Sequence, residues 1–214
     1  MTKAFNSTKF FIAGNNLSLD FVNTQIIENG RPTDLLVGFE DFIAWASATS
    51  LLKLPQAEKL VKNWRGKREA EQVFARALGF RQTLRKMVET IVHDEAVKLS
   101  AVKIINAMLR NQHGYTELVR MEGGFEKRFR VDFNEPRQLF ASIAESAADL
   151  LCYGNPAYLK KCESPACVLY FYDTTKNHSR RWCSMAGCGN RAKAAAFHQR
   201  QRRGLNAAGK QKNG

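Results

Sequence analysis

Cys162 and Cys167 enclose four residues, Cys183 and Cys188 again enclose four, and fifteen residues separate the two pairs. One interval used twice constrains the chain more than any apolar pattern in it, because it brings four thiols onto two short knuckles joined by a loop. Zinc takes four thiolates at about 2.3 Å in a closed tetrahedron, and such a site folds a short segment that has no large core of its own. Two disulfides or four unrelated thiols are the alternatives, and equal paired spacing argues against both. The fifth cysteine, Cys152, stands outside the pattern at the end of an expected helix and reads as a small buried hydrophobe.

A tetrahedron filled by four cysteines leaves no place for water, so one Zn2+ per chain reads as structural. Catalytic zinc keeps an open position, often beside a carboxylate base, and between Lys160 and Arg203 the only acids are Glu163 and Asp173. Elsewhere the chain lacks a glycine-rich phosphate loop, a serine nucleophile elbow and a His-Glu metalloprotease pairing. Its four histidines, His93, His113, His178 and His198, are scattered. The sequence therefore does not read as an enzyme.

The apolar run 10–13 is too short for a signal-peptide core, and no stretch reaches the roughly 18 apolar residues of a membrane span. The expectation is a cytoplasmic protein with no membrane partner, whose thiols stay reduced and free for metal. Charge is uneven: residues 151–214 hold twelve Lys and Arg against two acids, so they carry +10 of the net +13. An acidic partner follows, and DNA leads, since neutralising phosphates releases counterions. Arg180, Arg181, Arg191, Lys193, Gln199, Arg200, Arg202 and Arg203 lie in or beside the cysteine segment and are the candidate nucleic-acid contacts.

The stretch after Cys188 is expected to be helical, with Asn190 as its cap, alanines at 192 and 194–196, and Gly204 as its stop. At 100° per residue Ala194, Phe197 and Gln201 share one side, from which Phe197 is expected to pack back on Tyr170, Phe171 or Trp182. The opposite side carries Ala192, Ala195, Ala196 and Gln199 between arginine edges. Small residues let a helix approach a major groove closely, while arginines reach phosphates and Gln199 a base edge. The competing reading packs that alanine strip on the N-terminal domain.

The runs Lys161-Cys162-Glu163-Ser164-Pro165-Ala166-Cys167, Arg180-Arg181-Trp182-Cys183-Ser184-Met185 and Cys188-Gly189-Asn190-Arg191-Ala192-Lys193 resemble the CGNR zinc finger. The resemblance implies a structural zinc on Cys162, Cys167, Cys183 and Cys188, in a bacterial transcription regulator. Gly14-Asn15-Asn16-Leu17-Ser18-Leu19-Asp20-Phe21-Val22-Asn23-Thr24 is similar to the opening of the ABATE domain, which precedes this finger in a stress-induced regulator family.

Periodicity predicts helices over 39–52, 55–64, 69–92, 96–110 and 135–151, a hairpin from 115–120 and 125–133 around Gly123-Gly124, and a short strand at 10–13. The fold class expected is α+β: a mostly helical N-terminal domain with a small β-hairpin, then a small four-cysteine zinc module ending in a helix. The expected boundaries are 1–155 for an ABATE-like domain that senses a ligand or dimerises, 156–204 for the finger, and 205–214 for a basic, disordered tail. Asp20 and Asn23 sit three apart in a segment expected to be buried. They read either as caps for a helix beginning near Phe21 or as the lining of a pocket for a small-molecule effector. Two functions stand: a DNA-binding regulator, acting as a homodimer if one finger reads too few base pairs, and a zinc-stabilised protein-interaction module that never enters a groove.

Overall fold

The computed structural model describes residues 9–210, with side chains through Gln201. Seven helices and three two-stranded antiparallel sheets make up the described residues, in agreement with the α+β expectation. Helix α1 (Leu17–Val22) leads to the hairpin β1 (Gln25–Glu28) and β2 (Arg31–Asp34), then to α2 (Phe39–Ala48), α3 (Leu54–Trp64), the long α4 (Arg68–Val92) and α5 (Leu99–Leu109). A second hairpin, β3 (Gly114–Met121) and β4 (Gly124–Val131), precedes α6 (Leu139–Tyr153). The last part pairs β5 (Leu159–Lys161) with β6 (Tyr170–Tyr172) and ends in α7 (Asn190–Lys210).

The core forms where the apolar stripes of α1, α2, α4 and α6 converge. Phe21, Phe42, Trp45, Phe80 and Phe140 are almost wholly buried, with Phe21 and Trp45 rings 4.8 Å apart and Phe42 and Phe140 5.8 Å apart. Such tilted and offset aromatic contacts add to the burial of large apolar surfaces. The same cluster continues into Leu159, Leu169, Tyr170 and Phe171, so the cysteine segment shares the core of the helices rather than hanging from them.

Polar ties fix the outer elements to this core. Arg81, buried on α4, donates to Thr24 Oγ1 at 2.7 Å and grips both carboxylate oxygens of Asp34, which holds the β1–β2 hairpin against the helix. That hairpin turns on Asn29 (φ 50°) and Gly30 (φ 78°) with Glu28 facing Arg31, the two-residue turn that Asn-Gly favours because both positions need φ > 0. Asn16 caps α1, accepting from Leu19 N, and donates to Ser146 O on α6.

Several local expectations are corrected. The segment 10–13 is irregular rather than a strand; Phe10 is buried, but the Ala13 and Gly14 amides turn toward a carboxylate. The first helix starts at Leu17, ahead of Phe21, because Asn16 provides the cap. Cys152 is exposed: it falls on the outer side of the last turn of α6. Helix α7 runs through Gly204 to Lys210, since an interior glycine costs only about 1 kcal/mol and helix-favouring Leu205, Ala207 and Ala208 follow with no proline. The expected tail thus begins as helical backbone, and its last residues, 211–214, lie outside the described residues.

Candidate metal centre and nucleic-acid interface

The first knuckle begins where β5 ends. Cys162 donates its N–H to Leu169 O and Cys167 its N–H to Ser164 O, so the chain between them doubles back and aims both sulfurs inward. The second knuckle is a tight turn, Met185–Gly189, capped by Ser184, whose Oγ accepts from Gly187 N at 2.9 Å. This turn runs without a break into α7, so Ser184 rather than Asn190 caps the helical run; Asn190 is exposed at the junction. Gly189 packs closely: a Cβ there would displace Met185 Sδ and stand 3.2 Å from Trp182 Cδ1.

The four sulfurs of Cys162, Cys167, Cys183 and Cys188 all lie within 4.8 Å of one another. Cys167 and Cys183 are 3.8 Å apart and Cys183 and Cys188 3.5 Å, close to the roughly 3.8 Å edge of a tetrahedron with 2.3 Å zinc–sulfur bonds. Three of the cysteines are buried and Cys167 is half-buried. Thiols this crowded cannot all ionise alone: hydrogen bonding from Cys183 pulls the Cys167 pKa down to about 5, while the same contact and burial push Cys183 far up. A divalent cation removes that conflict. Donors also surround the sulfurs, with Cys183 N–H reaching Cys162 Sγ at 3.4 Å and Arg191 reaching Cys188 Sγ at 3.0 Å, which tempers the net charge of a four-thiolate zinc. The residues fit one structural zinc with no open position for chemistry.

A buried carboxylate organises the loop between the knuckles. Asp173, fully buried, accepts from Lys160 Nζ, Thr175 N, Thr175 Oγ1 and Arg180 N. Burial alone would raise its pKa, but these bonds outweigh that and hold it well below the ordinary carboxylate range. His178 stacks on Tyr158 with ring centres 3.5 Å apart and points Nδ1 at Asp173 O, so it supports the loop and is not among the clustered metal-ligating side chains.

Arg180 faces inward. Its guanidinium lies 4.2 Å from the Phe171 ring centre and donates to Trp182 O, Ala13 O and Cys183 O, joining the knuckle to the N-terminal segment. Asp20 and Asn23 complete that joint. Asp20 Oδ1 accepts from Ala13 N and Gly14 N at 2.9 and 2.8 Å, and Asn23 exchanges two hydrogen bonds with the backbone of Tyr170. Neither residue lines any of the described cavities. Burial pushes the Asp20 pKa up to about 6, against the lowering effect of those amides and of Arg180.

The remaining basic candidates with described side chains are exposed, Arg191 among them although its guanidinium also reaches Cys188 Sγ. Arg181 is exposed, pairs with Glu163 at 2.6 Å and lies 5.1 Å from the Trp182 ring centre. Arg191, Lys193, Gln199 and Arg200 are exposed on α7 with Ala194, Ala195 and Ala196. Only Ala192, next to the metal turn, is half-buried. Phe197 does not pack on Tyr170, Phe171 or Trp182; it is 51% exposed, with His198 as its aromatic neighbour, because α7 leads away from the body beyond its first turn. The side chains of Arg202 and Arg203 lie outside the described residues.

A helical body fused to a four-cysteine metal module that presents a basic helix defines a zinc-finger protein. Within that class, residues 158–201 match the family model of the CGNR zinc finger, and residues 15–154 match the ABATE model, described as "Putative stress-induced transcription regulator". The chain belongs to the ABATE family, with the CGNR finger following in order. No curated protein matches it.

Proposed function

We propose that this chain is a cytoplasmic, non-enzymatic bacterial transcription regulator that binds duplex DNA through its finger and helix α7. The observation that carries the reading is the exposure of every side chain from Lys193 to Gln201, Ala195, Ala196 and Gln199 of the alanine strip included, on a helix whose formal charge is positive. Nothing among the described residues covers that face. Zinc holds the first turn rigid through Cys188, so the helix projects at a fixed angle, with Arg191, Lys193 and Arg200 for phosphates and Gln199 for a base edge. Arg181 extends the basic surface onto the knuckle, whereas Arg180 acts from inside by fixing the knuckle's position.

In this proposal residues 1–155 form the regulatory body, 156–204 the finger and 205–214 a basic extension. Two features support sensing or dimerisation by the body. A cavity of about 260 Å³ between Ile91, Val97, Leu150 and Leu159 touches α4, α6 and the first strand of the finger, a place from which a small effector would reach both. The β3–β4 hairpin exposes Leu118, Phe125 and Phe129, on one face by its register, for a second copy of the chain. The half-exposed Phe197 favours the second reading, a finger that docks an acidic protein.

Mobility-shift titration of zinc-loaded protein on mixed-sequence duplex DNA separates the two. The regulator reading expects binding that weakens steeply with salt and a shallower salt slope after Lys193→Ala/Arg200→Ala. Absence of binding at low salt, or an identical slope in the double variant, would sink it.

A further inference from the structure

Beside the zinc turn lies a cleft of about 500 Å³ that neither the metal nor the exposed helix face uses. Its walls include Lys176, Ser179, Arg181, Trp182 and Met185. Trp182 and Met185 form the apolar wall, laid against the bare backbone of Gly189. The Arg181 guanidinium lies 5.1 Å from the Trp182 ring centre and pairs with the exposed Glu163. The loop carrying Lys176 is pinned by the bonds of Thr175 and Arg180 to Asp173 and by the His178–Tyr158 stack. Lys176 itself makes no ion pair among the described residues and is exposed.

The geometry points to a binding site for one nucleotide unit, with the phosphate between Lys176, Ser179 and Arg181 and the base against Trp182, Met185 and the Arg181 plane. A flat heteroaromatic ring gains from stacking on an indole or a guanidinium, and a phosphate from two cations and a hydroxyl. The cleft's volume suits a mononucleotide, and its loop is fixed in place before any ligand arrives, which lowers the ordering cost of binding. The nucleotide has two sources: a free mononucleotide acting as an effector at the finger, or an unpaired residue of a DNA strand. The second rests on the DNA-binding reading above, and the first does not.

Titration of the full zinc-loaded chain with 2′-deoxyadenosine 5′-monophosphate, and separately with a single-stranded ten-residue oligodeoxynucleotide, tests this through tryptophan fluorescence and calorimetry. The expected result is saturable quenching by at least one of the two, absent in Trp182→Phe and weakened about tenfold in Lys176→Ala. Response to the mononucleotide alone assigns the site to a free effector, and response to the oligonucleotide alone assigns it to a strand. The inference is overturned if neither probe gives a saturable response, if binding is the same in Lys176→Ala, or if quenching persists in Trp182→Phe. Zinc content checks that both variants remain folded. Should the cleft fail these tests, duplex binding that depends on Lys193 and Arg200 but not on Lys176 would still leave the helix reading standing.

Discussion

The side-chain amide of Asn23 pairs with both backbone groups of Tyr170, donating Nδ2–H to the carbonyl at 2.8 Å and accepting the Tyr170 N–H on Oδ1 at 2.9 Å, across 147 residues of sequence. The amide takes the place of a neighbouring strand beside β6 and joins the end of α1 to the strand between the two zinc knuckles. Asn23, Tyr170 and Phe171 are all buried, so no water stands ready to replace either bond.

Asn23→Ala should therefore cost about 2–4 kcal/mol, because it strands a buried donor and a buried acceptor of Tyr170. Asn23→Asp should cost at least as much at neutral pH, because it loses the donor and sets a buried carboxylate oxygen against the Tyr170 carbonyl. Urea unfolding of the zinc-loaded protein measures both. Equal stability of wild type and Asn23→Ala would mean that the joint contributes nothing.

Loss of zinc should travel further than the finger. On sequence alone, Cys183→Ser is expected to unfold a separate small module and leave the helices intact. The shared core alters that: Tyr172 donates to Gly14 O, Arg180 to Ala13 O, and Arg85 of α4 to Val22 O while lying 5.8 Å from the Tyr170 ring centre. Cys183→Ser should abolish stoichiometric zinc and also raise hydrogen exchange in residues 10–24, with the centre of α4 still protected. Exchange confined to residues beyond 158 would contradict this coupling, and one zinc per chain in the variant would refute the four-cysteine site.

How much of this was legible in the sequence depends on the distance over which each feature is decided. Helices 69–92 and 135–151 follow from the period, and the cysteine spacing points to the four-thiol cluster, because both are local. The β1–β2 hairpin carried a readable signal, Asn29-Gly30, that periodicity passed over: four-residue strands with Pro32 in one of them show little alternation. Asp20 and Asn23 were recognisable as buried polar groups, yet their partners, the Ala13–Gly14 amides and Tyr170, are set by tertiary packing. Arg180 was indistinguishable from Arg181 in sequence; one points inward and the other outward because Asp173 anchors the backbone between them and the loop.

Asp20 gives the fold a pH dependence opposite to the usual carboxylate. Its pKa near 6 in the folded chain, against about 4 unfolded, means that the folded state holds the proton more tightly. The stability this supplies is complete below about pH 4 and is lost as pH rises through 6, an effect of about 2–3 kcal/mol. Asp173, depressed, works the other way and in a lower window: its contribution is present above about pH 4 and lost as acid protonates it. Asp20→Asn should thus flatten the curve between pH 4 and 7 relative to wild type, read as the difference in urea midpoints at matched zinc. Parallel curves would place the Asp20 pKa at its ordinary value.

The exposed alanines of α7 allow stability and recognition to be separated at one position. Ala195 touches solvent rather than core, and leucine is nearly as good a helix former, so Ala195→Leu should leave the unfolding midpoint within about 0.5 kcal/mol. A helix that approaches a groove through its small residues has no room for the added isobutyl group, and duplex affinity should fall by about tenfold or more, with an unchanged salt slope because no phosphate contact is removed. Lys193→Ala/Arg200→Ala should instead change the slope. If Ala195→Leu binds as tightly as wild type while the lysine–arginine variant binds weakly, the helix lies along the phosphate backbone and its alanine face looks away from the bases.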